Sequence, residues 1–308
     1  MKNYYRLMLG RKSAFAEEAH KGNFIGGGFI KDLDLTNDLS DDWRDFNKKF
    51  IPIFLQQNPD KTKISAGLAC GMLWTVIKGI AEGDIVLCPD GKGSYFVGEV
   101  TGPYRYNEES ELRHQRPVRW FSKVITREEM SDSLKNSTGS IGTVSNISKY
   151  AEELEKLIAG DGPVLITSTD ETIEDPSVFA LEKHLEDFLI QNWKHTDLGR
   201  NYDIYEENGE IVGQQYPSDT GPIDILAISK DKKDILVVEL KKGRASDVVV
   251  GQIQRYMGYI KDELAESNQT VSGVIVAFED DLKIQRALSI AQNINLYTYK
   301  IQFTLQKK

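Results

Sequence analysis

Residues 221–243, GPIDILAISKDKKDILVVELKKG, constrain the fold of this chain more than any other stretch. Two apolar, β-branched runs, 223–228 and 235–240, flank the polar tract 229–234 between bounding Gly and Pro residues, which predicts a β-hairpin. Asp224 interrupts the first run and Glu239 the second, in a sheet otherwise patterned for burial on both faces. Burying such a charge is costly unless a cation or hydrogen bonds compensate.

A turn centred between Asp231 and Lys232 pairs Ser229 with Asp234 and Asp224 with Glu239. Directly opposed residues share a face, with Cβ atoms about 4.5–5.5 Å apart, a gap that suits a shared divalent cation. Period-two alternation adds Lys241 to the face of Glu239 and sends Val238 and Leu240 to the other side. Two acids and an ammonium on one spot are what metal-assisted attack on a phosphodiester needs: Asp224 and Glu239 as metal ligands, Lys241 to orient the nucleophile or offset charge. The same D…ExK letters also arise by chance, on a hairpin that merely carries surface charges.

At 308 residues the chain is long enough for two domains. Apolar content of 40% and charged content of 28% fit an ordinary globular protein. No run approaches the roughly 18 apolar residues of a membrane span and none resembles a signal peptide, so a cytoplasmic protein with no membrane partner is expected. Cys70 and Cys88 have neither CxxC spacing nor nearby histidines, and read as buried, reduced thiols. The formal net charge of −9 argues against indiscriminate polyanion binding, while leaving room for local basic patches.

In the first half, strands are predicted at 4–9, 24–30, 84–88, 94–101 and 118–126, and helices at 13–20, 41–57 (capped by Ser40), 63–80 and 147–158. A polar loop is expected through 104–117. The three glycines in FIGGGFI suggest a bulge or the close approach of another backbone or a ligand. A small curved β-barrel with flanking helices is the simplest architecture for this order. The runs GDIVLCPDGKGSYFVGEVTGPYRY (83–106), HQRPVRWF (114–121) and STGSIGTV (137–144) resemble the N-terminal module of Mrr-type restriction endonucleases, itself similar to PUA/EVE barrels. That resemblance covers about residues 1–145 and implies a pocket for a flipped, modified base. Such a pocket needs aromatic walls, worth about 1–3 kcal/mol per stacked base, together with cations for the flanking phosphates. Candidate walls are Trp43, Trp74, Tyr104, Tyr106 and Trp120, and candidate cations are Arg105, Arg113, His114, Arg116 and Arg119. Of these, Trp74, Tyr104, His114 and Arg116 are carried forward as DNA contacts, although Trp43 and Trp74 sit at helical spacing among apolar residues and also fit core packing.

The expected organisation is a DNA recognition domain at 1–160, a linker at 161–176 and a second domain at 177–308, the linker being rich in Gly, Pro and acidic residues. In the second domain a helix at 177–193, strands at 202–205 and 211–216, the central hairpin, a helix from Ser246 to about residue 266, a strand at 271–278 and a helix at 280–292 are predicted. This α-β-β-β-α-β order is that of the PD-(D/E)XK nucleases, an α/β (α+β) fold with a mixed sheet flanked by helices. Residues 177–308 resemble the C-terminal nuclease domain of the NucS endonucleases and their Mrr-like relatives. The resemblance places the family's aspartate on Asp224, its ExK on Glu239 and Lys241, and its helix glutamine and tyrosine on Gln252 and Tyr256 within GQIQRY. The first-helix glutamate falls on Glu182 in EKHLEDFL, with Glu186 one turn later as the alternative. Lys242 and Arg244, beside the site, are read as phosphate contacts or as a solvated turn.

These readings combine into a Mg²⁺-dependent DNA endonuclease, with Mn²⁺ able to substitute, acting on foreign or base-modified DNA. The alternatives are a NucS-like repair nuclease acting on mismatched or branched DNA, and an inactive DNA-binding protein. A double-strand break from one active site per chain needs two visits or two copies, so a homodimer is an expectation.

Overall fold

The computed structural model describes residues 2–139, 142–160, 185–207 and 209–299, except for the side chains of Asp132, Lys242 and Arg244. The chain divides into two compact units, Met1–Thr167 and Ser168–Lys308. The predicted linker at 161–176 lies outside the described residues.

In chain order the first unit comprises β1 (Tyr4–Leu7), α1 (Ala16–Gly22), β2 (Phe24–Gly27), α2 (Trp43–Gln57), α3 (Lys63–Trp74) and β3 (Ile85–Pro89). It continues with β4 (Ser94–Val100), β5 (Arg105–Tyr106), β6 (His114–Thr126), α4 (Asp132–Thr138), β7 (Val144–Asn146) and α5 (Ala151–Ala159). The strands form a seven-stranded sheet in the order β2-β6-β4-β3-β1-β7, with β5 also paired to β6. Strand β6 begins within the stretch expected as a polar loop. Its first residues pair with β2, Ile25 opposite Arg116 and Gly26 opposite Gln115, and its later ones pair with β4. The glycine run is what allows this: a Cβ at Gly26 would stand 2.7 Å from the carbonyl oxygen of His114. Helix α2 is capped by Asp42, whose carboxylate accepts the Asp45 N–H at 2.9 Å, whereas Ser40 instead accepts the Asp42 N–H. Helices α4 and α5 close one face of the sheet through Leu134, Leu154 and Leu157 against Ile85, Leu87, Val97 and Ile125. Both cysteines are buried free thiols, and burial pushes Cys70 up to about 12.

In the second unit, residues 185–192 form helix α6. It is followed by β8 (Tyr202–Ile204), β9 (Glu206–Glu207), β10 (Glu210–Ile211), β11 (Gln214–Ser218), β12 (Gly221–Ser229) and β13 (Asp234–Arg244). The chain then runs through α7 (Asp247–Tyr259), β14 (Thr270–Glu279), α8 (Leu282–Leu288) and β15 (Ile294–Thr298). The sheet order is β11-β12-β13-β14-β15, with β8 pairing the later half of β12. Pairing is antiparallel from β11 to β13 and parallel from β13 to β15, so the sheet is mixed. Parallel strands need a crossover, and α7 supplies it between β13 and β14, burying Val249, Val250, Ile253 and Tyr256. The opposite face carries Ile225, Ala227, Leu236, Val238, Leu240 and Val274, covered by Leu185, Leu189 and Trp193 from α6 and the turn after it. Both halves are thus mixed α/β, and the second is a sheet with helices on both faces. Among the described residues no helix is long and apolar enough to cross a membrane.

Candidate active site

The central hairpin forms in the predicted register. Ile225 faces Val238, and the ladder continues through Leu226–Val237 and Ala227–Leu236 to Ile228–Ile235. One further step in that register sets Asp224 opposite Glu239. Asp224 is half-buried; its Oδ2 accepts the Leu240 N–H at 2.8 Å and its Oδ1 accepts a hydrogen from Gln215 Nε2 at 3.0 Å. Glu239 is only 2% exposed, and its Oε1 accepts a hydrogen bond from Lys241 Nζ at 2.8 Å. Lys241 offsets the desolvation of that carboxylate while its own side chain remains 31% exposed, so the ammonium faces both the acid and solvent. Val238 and Leu240 point the other way, into the apolar cluster under α6. Alternation alone therefore sorts this strand into a chemical face and a packing face.

Beyond Lys241 the ladder to β14 slips its register before Arg244, a bulge that ends the regular strand beside the site. Helix α7 follows at once. Its Gln252 accepts a hydrogen bond from Lys241 Nζ through Oε1 and donates through Nε2 to the Tyr256 hydroxyl, both at 3.3 Å. Spacing of i, i+4 puts Gln252 and Tyr256 on one helix face. Tyr256, which the sequence suggests as a DNA contact, is 4% exposed, with its ring in the buried face of α7. Its hydroxyl reaches back to the start of β12, where a Cβ at Gly221 would stand 3.2 Å away and where φ is +128°. Glycine alone meets both demands.

The first-helix glutamate divides between two positions. Glu182 lies outside the described residues, and Glu186 reaches the site from α6. Its Oε1 accepts a hydrogen from Gln214 Nε2 at 2.6 Å and its Oε2 one from Gln215 Nε2 at 2.9 Å. Neither glutamine was identified from sequence. Gln215 adopts φ +50° within β11, a backbone state that no residue spacing signals. Lys242 and Arg244 fall on β13 at the bulge, and their side chains are outside the described set.

Three carboxylates, Glu186, Asp224 and Glu239, stand against one ammonium, Lys241, which leaves two negative charges when all four are ionised. Among the described residues no three His, Cys, Asp or Glu side chains converge as a complete protein cage. An all-oxygen set of one or two carboxylates fits Mg²⁺, which retains several waters and completes its shell with substrate phosphate oxygens. Asp224 and Glu239 are the residues that would hold it.

Of the DNA contacts expected in the first unit, Arg116 and His114 are buried, whereas Tyr104 and Trp74 are half-buried. Arg116 is 4% exposed and donates to three main-chain carbonyls: Gly102 at 2.7 Å, Ile80 at 2.8 Å and Ile77 at 3.2 Å. His114 is fully buried. Its Nε2 donates to the Ile30 carbonyl at 3.2 Å, so the neutral ring accepts at Nδ1 from the Tyr104 hydroxyl at 2.9 Å. Burial lowers the His114 pKa from its ordinary value and pushes Tyr104 up to about 12. The Tyr104 hydroxyl also accepts the Leu35 N–H, which ties it into the domain. Trp74 is half-buried; its indole N–H donates to the Ser40 carbonyl at 2.9 Å, and its ring lies where a Cβ on Gly79 would be 2.9 Å away. Arg116 and His114 thus make their hydrogen bonds inside the domain, while Tyr104 and Trp74 keep part of their surface exposed. Strand β6 buries polar letters because it crosses the glycine-rich β2, a pairing that a polar sequence conceals.

Comparison with known proteins follows this division. Residues 181–304 match the Endonuclease NucS C-terminal domain, and residues 5–148 match a domain of unknown function (DUF8426). Endonuclease NucS of Methanocaldococcus jannaschii is 36% identical over 78 residues, which is 25% of this chain and 28% of that protein. Endonuclease NucS of Pyrococcus abyssi is 23% identical over 201 residues, 64% of this chain and 65% of that protein. The chain thus spans less than two thirds of either relative. Among solved structures, the EndoMS-dsDNA2 complex is 13% identical with a TM-score of 0.32, covering 68% of this chain and 62% of that one. A repair endonuclease from Pyrococcus abyssi is 16% identical with a TM-score of 0.27, covering 69% and 66%. Superpositions this loose support neither a residue role nor a substrate. The sequence match makes residues 181–304 similar to the Endonuclease NucS C-terminal domain, and the hairpin that carries Asp224, Glu239 and Lys241 lies within that match.

Proposed function

We propose that the chain is a Mg²⁺-dependent DNA endonuclease in which the second unit hydrolyses the phosphodiester and the first selects the substrate. The observation that carries this reading is the convergence of Asp224, Glu239 and Lys241 on one face of the β12–β13 hairpin, with Lys241 Nζ 2.8 Å from Glu239 Oε1. Asp224 and Glu239 would hold a divalent ion, which when bound would lower the pKa of a water and screen the phosphate. Lys241, exposed on one side, presents its ammonium to the negative charge that grows on the phosphate during attack. Gln252 fixes the direction of that ammonium, and Tyr256 in turn fixes the Gln252 amide. Mn²⁺ is expected to substitute for Mg²⁺, and the protein to work in the cytoplasm.

Two substrate readings follow, and repair is at least as well supported as restriction. Restriction of foreign or base-modified DNA rests on the resemblance of residues 83–144 to the PUA/EVE-like module, a reading weakened by the burial of His114 and Arg116. Repair of mismatched or branched DNA is supported by the match of the second half to proteins named Endonuclease NucS. Cleavage of plain, methylated, hydroxymethylated, mismatched and branched duplexes with Mg²⁺ or Mn²⁺ separates them. Preference for modified bases favours restriction, and cutting confined to mismatches or branches favours repair. No cutting of any duplex with either ion overturns the endonuclease reading. Double-strand breaks at equal rates in dilute and concentrated protein count against a homodimer.

A further inference from the structure

We propose that Gln215 is a positioning residue for the acidic site, fixing Asp224 and fastening Glu186 of α6 to the sheet; this rests on the nuclease reading only for its consequence in cleavage. The single Nε2 of Gln215 lies 2.9 Å from Glu186 Oε2 and 3.0 Å from Asp224 Oδ1, so its two hydrogens meet two carboxylates. The reverse amide orientation would aim a carbonyl oxygen at two anions, so chemistry dictates which end faces the site. Placed between the acids, the amide both offsets their repulsion and fixes the Asp224 oxygen beside it.

The backbone is bent to make this possible. Neighbouring strand residues point to opposite faces, so Gln214 and Gln215 ought not to reach one carboxylate. They do: Gln214 takes Glu186 Oε1 and Gln215 takes Oε2. Strand β11 keeps Gln214 opposite Ile225 and Tyr216 opposite Ile223, while Gln215 between them turns to φ +50°. A non-glycine residue held in the left-handed region within a strand is uncommon and persists where the surroundings hold it there. Here the surroundings are the two carboxylates. The left-handed backbone at one exposed glutamine thus joins the helix on one side of the sheet to the acidic face on the other.

Gln215→Gly and Gln215→Glu test this. Glycine relaxes the backbone, which offsets part of the loss of the two amide hydrogen bonds, so Q215G should stay folded with an unfolding temperature near that of the wild type. It should nevertheless bind Mn²⁺ roughly 10- to 100-fold more weakly when the ion is titrated into DNA-free protein. Its Mn²⁺ requirement for half-maximal cleavage should rise by the same factor, with the rate restored at saturating ion. Q215E, which sets a third anion against the other two, should lower the unfolding temperature at neutral pH. Equal Mn²⁺ affinity in wild type and Q215G overturns the proposal, as does a Q215G protein destabilised with its ion affinity intact. A wild type that binds Mn²⁺ but cuts no DNA, with Q215G binding more weakly, overturns the nuclease reading and leaves the role of Gln215 standing. No Mn²⁺ binding by the wild type overturns both.

Discussion

Arg116 in the first unit and Lys241 in the second are both cations set in β-strands, and they are used in opposite ways. Arg116 is almost wholly buried and gives its hydrogens to three main-chain carbonyls. Lys241 is partly exposed and gives its hydrogens to two side chains, Glu239 and Gln252. A cation bonded to the main chain in this way joins segments of backbone, and Arg116 commits its Nε and Nη1 to that task. One bonded to other polar side chains, with an open side, belongs to a site. His114, buried and bonded to the Ile30 carbonyl, resembles Arg116, and Gln215 and Gln252, bonded to other polar side chains, resemble Lys241.

That contrast breaks most visibly at the acids. Asp224→Ala, and separately Glu239→Gln, should lower DNA cleavage on the order of 10³-fold, the loss of about 4 kcal/mol of transition-state stabilisation. Circular dichroism should show the fold retained. Arg116→Ala should do the reverse, destabilising the first unit by about 3 kcal/mol because three carbonyls lose their donor at roughly 1 kcal/mol each. Urea unfolding with hydrogen exchange read across β6 measures this. Unchanged exchange together with weakened DNA binding would return Arg116 to the nucleic-acid interface. Gln252→Ala sharpens the picture with a smaller effect, about 10- to 100-fold in cleavage, because it acts on Lys241 and only through it on the phosphate. Single-turnover rates at saturating metal isolate that step.

The smallest effect is one of pH. Burial holds the folded His114 pKa below its ordinary 6.5, so as pH falls the unfolded chain takes up a proton before the folded one does. The stability associated with His114 is therefore complete above 6.5 and is lost from there downwards toward the folded value. His20, likewise lowered by burial, adds to the same slope. Unfolding of the first unit at about pH 7.5 and about pH 5.5 should show the wild type weakening on acidification, and His114→Gln weakening less. An identical pH slope in the two proteins contradicts the buried neutral ring.

The sequence shows the hairpin register plainly because the apolar residues of β12 and β13 pair with one another across the ladder, from Ile225–Val238 to Ile228–Ile235. Asp224, Glu239 and Lys241 are carried along by that register. Gln252 and Tyr256 follow from helical spacing together with the family resemblance. What the letters hide is of two kinds. Strand β6 is concealed because its first residues are His, Gln and Arg, polar types whose burial depends on the glycines of a distant strand. Gln215 is concealed because its reach depends on one backbone angle that no neighbouring residue announces. The Asp42 cap, two residues beyond the expected Ser40, shows the ordinary uncertainty of helix ends.

The account turns on whether the hairpin acids and Lys241 form a metal-dependent cutting centre. Single-turnover cleavage of a labelled duplex, chosen from the substrate panel, by wild type and Asp224→Ala across a Mg²⁺ titration tests it most directly. Cleavage by the wild type should rise and saturate with Mg²⁺ and be abolished by a chelator, and the variant should cut on the order of 10³-fold more slowly at every concentration. Cleavage by Asp224→Ala equal to that of the wild type, or cleavage indifferent to the ion, would contradict it.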